Sequence, residues 1–150
     1  MPLNVGKLAN GLQKWMDSPQ EDIKESAQLF ADAYEDYAKG AIATSGGSIA
    51  SYDKAGMLKV LTGITPPGGG SDLMGESIKV FWDGASVPPS DIIIPFSPPM
   101  LVAELKAIMS DHNSPTPIKA NDMANAIHNS TTMIGTLNTT PSTPVPGNIA

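Results

Sequence analysis

Residues 18–41 constrain the fold more than any other stretch, because there a helix start, a long periodic body and a stop signal follow one another without a break. Ser18 is placed to cap the free amides of a first turn, Pro19 suits the position whose amide needs no partner, and Glu21 completes a capping box three residues after the cap. The acidic Glu21 and Asp22 also suit the positive end of a helix. Along the body, Ile23, Ala27, Phe30, Ala31, Tyr34, Tyr37 and Ala38 recur at spacings of three and four, with Lys24, Glu25, Asp32, Glu35 and Asp36 opposite them. Lys39 followed by Gly40 closes the pattern. A helix over 19–39 is predicted, and its aromatic stripe must be covered by the rest of the chain.

The rest is apolar but heavily interrupted. With 14 Gly and 14 Pro among 150 residues, long regular elements cannot be sustained, and short helices joined by long connections follow. Val5, Leu8, Ala9, Leu12, Trp15 and Met16 predict a helix over 5–17. Leu58 and Leu61 predict one over 52–63, and Leu73, Ile78, Phe81 and Trp82 one over 73–84. Leu101, Leu105 and Ile108 predict a helix over 100–111. Met123, Ile127, Ile134 and Leu137 predict one over 119–137, weakened in its middle by Ser130, Thr131 and Thr132. The fold class is therefore mainly α, with about six short helices and long Gly/Pro-rich loops. At this length the chain makes one domain, read as a helical body over 1–137 and a flexible Thr/Pro-rich tail over 138–150. The predicted core is Phe30, Tyr34, Tyr37, Leu58, Leu61, Phe81, Leu101, Leu105, Ile108 and Ile127.

One pattern recurs. Tyr37 stands three residues before Gly40-Ala41 and Phe81 three before Gly84-Ala85, and each ending is followed by a linker and a shorter helix beginning near Met57 or Met100. Two readings stand side by side: two weakly similar helix-linker-helix halves about a pseudo-twofold axis, or two Gly-Ala helix ends that coincide by chance.

The connecting segments 42–51, 65–72 and 86–99 are rich in Gly, Ser and Pro, yet they hold Ile42, Ile49, Ile92, Ile93 and Ile94, which have no helical stripe to join. These five isoleucines are the interface candidates. Three adjacent β-branched residues favour extended chain at Asp91–Pro95. The surrounding Pro88, Pro89, Pro95, Pro98 and Pro99 lack backbone donors and so restrict it to an edge. With no second strand apparent in the sequence, the expected partner of that edge is a neighbouring subunit. The alternative is a packed loop with all three isoleucines draped over the helices.

Several chemistries find no support. A formal charge of −6, from 9 basic and 15 acidic residues, offers no stripe to neutralise phosphates, so direct nucleic-acid binding is not expected. The absence of cysteine removes disulfides, thiolate catalysis and sulfur-ligated metals. The Gly-rich 63–72 loop lacks the Gly-Lys-Ser/Thr ending of a phosphate loop and reads as a linker. His112 in a turn-like stretch and His128 in mid-helix read as turn or surface residues, and their separation matches no metal-ligand pairing. The carboxylates of 21–36 share the polar side of one helix, where solvation is their ordinary fate. No Gly-x-Ser-x-Gly elbow is present. Neither an apolar membrane span nor the layout of a signal peptide is seen, and synthesis in cytoplasm is expected. No catalytic residue, cofactor, metal or small-molecule substrate is assigned.

Leu29 to Ala41, with its Ala-Asp-Ala-Tyr core, and Val80 to Ala85, separated by a Pro/Gly linker and short Met/Leu/Ala helices, resemble small structural proteins encoded in the tail or neck modules of tailed bacteriophages. The likeness spans about residues 19–137, outside the Trp15 helix and the last residues. It implies a non-enzymatic virion component made in the host cytoplasm, joining other virion proteins and copies of itself in the tail, neck or baseplate through loops and termini. It transfers no active-site residue. An assembly chaperone or adaptor absent from the finished particle would share these features, and a small cytoplasmic enzyme would need a pocket with convergent polar groups.

Overall fold

A computed structural model of the protein describes residues 3–18, 22–43, 47–63, 70–86, 91–93, 99–111, 113–138 and 145–150. Its helices are α1 (Val5–Asp17), α2 (Ile23–Ala38), α3 (Lys54–Leu61), α4 (Gly70–Asp83), α5 (Pro99–Met109) and α6 (Thr116–Thr132). Each helix packs on its neighbour in sequence, and α6 closes against α1, so the six form a ring around a shared core. The mainly α reading is thus what the chain adopts.

Helix starts depart from the sequence reading in an instructive way. Ser18 does not cap α2. It terminates α1, donating its backbone N–H to Lys14 O at 2.9 Å. The cap is Asp22, whose carboxylate accepts from Glu25 N at 2.9 Å, so that α2 begins at Ile23. Any Asp, Asn or Ser three residues before a free amide can do this, and Asp22 is the residue that stands at that distance from the Glu25 amide. Pro19 and Glu21 lie outside the described residues. The same device recurs at Asn4, which accepts from Lys7 N, and at Asp53, which accepts from Gly56 N at 2.8 Å.

Two close approaches set the helix spacing. A Cβ added to Gly11 would lie 2.8 Å from that of Ala33, so α1 and α2 touch where neither presents a bulky side chain. Likewise a Cβ at Gly56 would meet Val80 Cγ1 at 2.7 Å, which fixes α3 close against α4.

Of the predicted core, Phe30, Tyr34, Tyr37, Leu61, Phe81, Leu101, Leu105 and Ile127 are buried, and Leu58 and Ile108 pack on its margin. Met57 takes the fully buried place expected for Leu58, since a four-residue step from Leu61 reaches it. Trp15 lies edge-on to Phe30 with ring centroids 5.3 Å apart, and Tyr52 stacks on Phe81 at 4.7 Å.

Three corrections concern the ends of elements. Helix α4 starts at Gly70 and buries Ser71, so part of the expected 65–72 loop is helical. Helix α6 stops at Thr132, and residues expected to continue it form β2 (Gly135–Asn138). This strand pairs antiparallel with β1 (Asp91–Ile93) and with β3 (Val145–Asn148), giving the order β1-β2-β3. The expectation of no second strand for 91–94 fails at the described 91–93, and the tail expected to lack structure over 138–150 forms strand at Asn138 and Val145–Asn148, residues 139–144 lying outside those described. Beyond β3, Ile149 is buried and bridges Ala43, while Ala150 and Ile42 exchange backbone hydrogen bonds of 2.8 and 2.9 Å.

The two Gly-Ala endings share a local turn: Ala41 N donates to Ala38 O and Ala85 N to Trp82 O. This likeness covers one turn and does not by itself establish two related halves.

Candidate functional site

The interface candidates from the sequence do not form one patch. Ile92 and Ile93 sit in β1, opposite Leu137 and Thr136, and the Ile93 side chain packs against the core. Ile42 is bridged to Ser48 and bonded through its backbone to Ala150. Ile49 is half-buried against the core. Ile94 lies outside the described residues. The four described isoleucines are therefore engaged within their own chain, whereas in the sequence they showed only the lack of a helical stripe to join. Among the described residues β1 is a terminal strand of its sheet, paired on one side with β2. The large apolar side chains left most exposed are different ones: Met100 at 69%, Met133 at 71%, Ile23 at 53% and Ile118 at 51%. All four lie in the first turn of a helix or just past its last, where a side chain escapes the buried stripe, and position within the element was the available signal.

An apolar cleft of about 230 Å³ opens among the helices, lined by Trp15, Phe30, Leu61, Leu73, Met74 and Met109 with Ser26 at its wall. The Ser26 hydroxyl accepts a hydrogen bond from Trp15 Nε1 at 3.0 Å. No titratable side chain is among the described lining residues, so the cleft can shelter an apolar group but has nothing there to move a proton.

Polar chemistry is concentrated in the interior. Tyr34 and Tyr37 lie three apart on α2, and His128 and Thr131 three apart on α6, so each pair projects from one face. They meet in antiparallel order. Tyr34 Oη is 2.9 Å from Thr131 Oγ1, and Tyr37 Oη is 2.7 Å from His128 Nδ1. Trp82 of α4 donates its indole N–H to Tyr34 Oη at 2.6 Å. Alternate helices of the ring are thereby joined through its centre. Burial pushes the Tyr34 hydroxyl well above the ordinary tyrosine range, although hydrogen bonds from Thr131 and Trp82 oppose this. Burial, reinforced by neighbouring Tyr34, does the same for Tyr37 against the opposing Thr131 hydrogen bond. Both remain neutral hydroxyls and not phenolate nucleophiles. His128, expected as a turn or surface residue, is half-buried and hydrogen-bonded. The matching three-residue spacings on α2 and α6 were visible in the sequence, but nothing there indicated that the two helices face each other.

A second polar group lies at the periphery. Lys54 Nζ is 2.5 Å from Asp32 Oδ1 and 3.0 Å from Glu35 Oε1, bracing α3 against α2. Burial alone would raise both carboxyls. The hydrogen bonds and charge of Lys54 more than offset that and hold them below the usual range, helped at Glu35 by the Tyr52 hydroxyl. Every cation and anion here has a partner, as expected of a brace and not of an acid-base pair. Among the described residues no group of three or more His, Cys, Asp or Glu could hold a metal, and no helix is long and apolar enough to cross a membrane. His112 lies outside the described residues.

No protein-family model, curated protein or solved structure matches the chain.

Proposed function

We propose that this protein is a non-enzymatic structural component of a tailed-phage virion, joining neighbouring subunits of the tail, neck or baseplate and made in the host cytoplasm. The observation that carries this reading is the position of β1. A short strand with two adjacent isoleucines forms one edge of the small sheet among the described residues, and the side of it away from β2 is a template on which another chain can add a strand. The exposed Met100, Ile118 and Met133 supply further apolar contact area of the kind an assembled partner covers. The resemblance of the 29–41 and 80–85 stretches to phage tail and neck proteins supplies the context. The partners are other virion proteins and further copies of this chain, and the reading involves no nucleic acid, membrane, cofactor or substrate.

Mass spectrometry of purified particles from a host expressing the phage tests the reading. Recovery of the chain at a fixed ratio to other virion proteins is the expected result. Detection in lysates but not in particles would replace the virion role with that of an assembly chaperone or adaptor.

A further inference from the structure

We infer that the cleft between Trp15 and Met109 is a binding site for a small neutral aromatic molecule carrying one hydrogen-bond acceptor, which the Ser26 hydroxyl engages. Five helices contribute to it: Trp15 comes from the end of α1, Ser26 and Phe30 from α2, Leu61 from the end of α3, Met74 from α4 and Met109 from the end of α5. Its floor, at Ala27, Phe30 and Met74, is buried, its walls at Trp15, Ser26 and Met109 are half-buried, and Ile23, 53% exposed, stands on its lining. The cleft is thus deep at one side and reachable from solvent at the other.

Size, charge and lining each narrow the occupant. An apolar cavity of roughly 150 Å³ takes a benzene ring, and drug-sized ligands need about 300–1,000 Å³. The 230 Å³ here therefore suits one ring with a short substituent. No titratable side chain is among the lining residues, so an ionised ligand would lose its hydration with no opposite charge to replace it. Trp15 and Phe30 supply aromatic surface, and Met74 and Met109 supply thioethers, which adapt to an occupant's shape and make favourable contacts with ring edges. An aliphatic occupant would forgo those ring contacts. The polar contact follows from donor and acceptor counts. An indole N–H only donates, so Ser26 Oγ accepts from Trp15 Nε1 at 3.0 Å and keeps its own hydrogen. That hydrogen has no acceptor among the described residues, and an acceptor on the ligand can take it. None of the lining residues belongs to β1, so the site is independent of the strand edge and of the virion reading.

Methionine-methyl carbon-13 NMR of the full chain tests this, with acetophenone as the acceptor-bearing probe, ethylbenzene as its counterpart without an acceptor, and benzoate as its charged one. Acetophenone is expected to shift the Met74 and Met109 methyls saturably while the exposed Met100 and Met133 stay in place, to bind more tightly than ethylbenzene, and to leave benzoate without effect. Ser26→Ala is expected to weaken acetophenone roughly three- to tenfold and to leave ethylbenzene unchanged, which shows the cleft itself to be intact. Absence of any shift at Met74 and Met109, or equal shifts at all four methionines, would overturn the site with the wild-type protein alone. Benzoate binding as tightly as acetophenone would overturn the neutral class, and an acetophenone-to-ethylbenzene ratio unchanged in Ser26→Ala would overturn the hydroxyl contact.

Discussion

Phe81 carries more of the interior than its single place on a helical stripe implies. It is fully buried, stacks on Tyr52, and meets Tyr34 and Trp82 edge-on with ring centroids at 5.2 and 5.5 Å. Truncation removes both the transfer free energy of the ring and its contacts with three aromatic neighbours. Phe81→Ala is therefore expected to destabilise the protein by about 3–5 kcal/mol in urea unfolding. A loss within experimental error would show that the site collapses or that the ring is not in the core. The Lys54 brace gives a second expectation at this scale. Asp32 and Glu35 have folded values below their ordinary 3.8 and 4.5, so their stabilisation is fully present above those values and is lost as pH falls through the depressed ones. The raised Lys54 works in the opposite sense: its contribution is complete below its ordinary 10.5 and fades as pH rises beyond it. Lys54→Met should flatten the acid limb of a stability-against-pH curve relative to wild type. Because Asp32 is about half exposed, the change is expected to be small, and parallel acid limbs would remove the brace from the account.

At the scale of elements, Ile149 tests whether the last residues belong to the fold. Its side chain is buried, its amide donates to Ile134 O at 3.1 Å, and it bridges Ala43. Ile149→Ala is expected to cost about 2–5 kcal/mol by denaturant unfolding with little change in helical circular dichroism. A neutral result would return 145–150 to the status of a dispensable tail. The sequence showed the helices well because each carries a stripe with three- and four-residue steps, as in Leu8-Leu12 and Phe30-Tyr34-Tyr37. It concealed the sheet because β2 and β3 carry no alternating pattern: Gly135-Thr-Leu-Asn follows directly on a helical run, and Val145-Pro-Gly-Asn contains two residues that ordinarily disfavour strands. Their pairing is set by tertiary placement, which brings β1 beside β2 across more than forty residues of chain. The polar network was hidden for a related reason. Tyr34 and Tyr37 read correctly as core, but Thr131 and His128 became meaningful only when α6 was set across the ring from α2.

For the whole molecule, the proposed place for an added strand is the β1 edge of the small sheet. The inner side of β1 is occupied by β2, so successive residues of Asp91–Ile93 alternate between backbone groups directed at β2 and groups directed outward. In the isolated protein, amide exchange should accordingly be slow at alternate positions of 91–93 and fast at the others. If the outer edge receives a strand from a neighbouring virion subunit, the fast set alone should slow on assembly, while the inner set changes little. This pattern separates edge pairing from a general tightening of the protein, which would slow both sets together. Fast exchange at the outer positions that persists in intact particles would refute edge pairing and shift the contact to the exposed helix ends at Met100, Ile118 and Met133. It would leave incorporation itself to be judged by the composition of the particle.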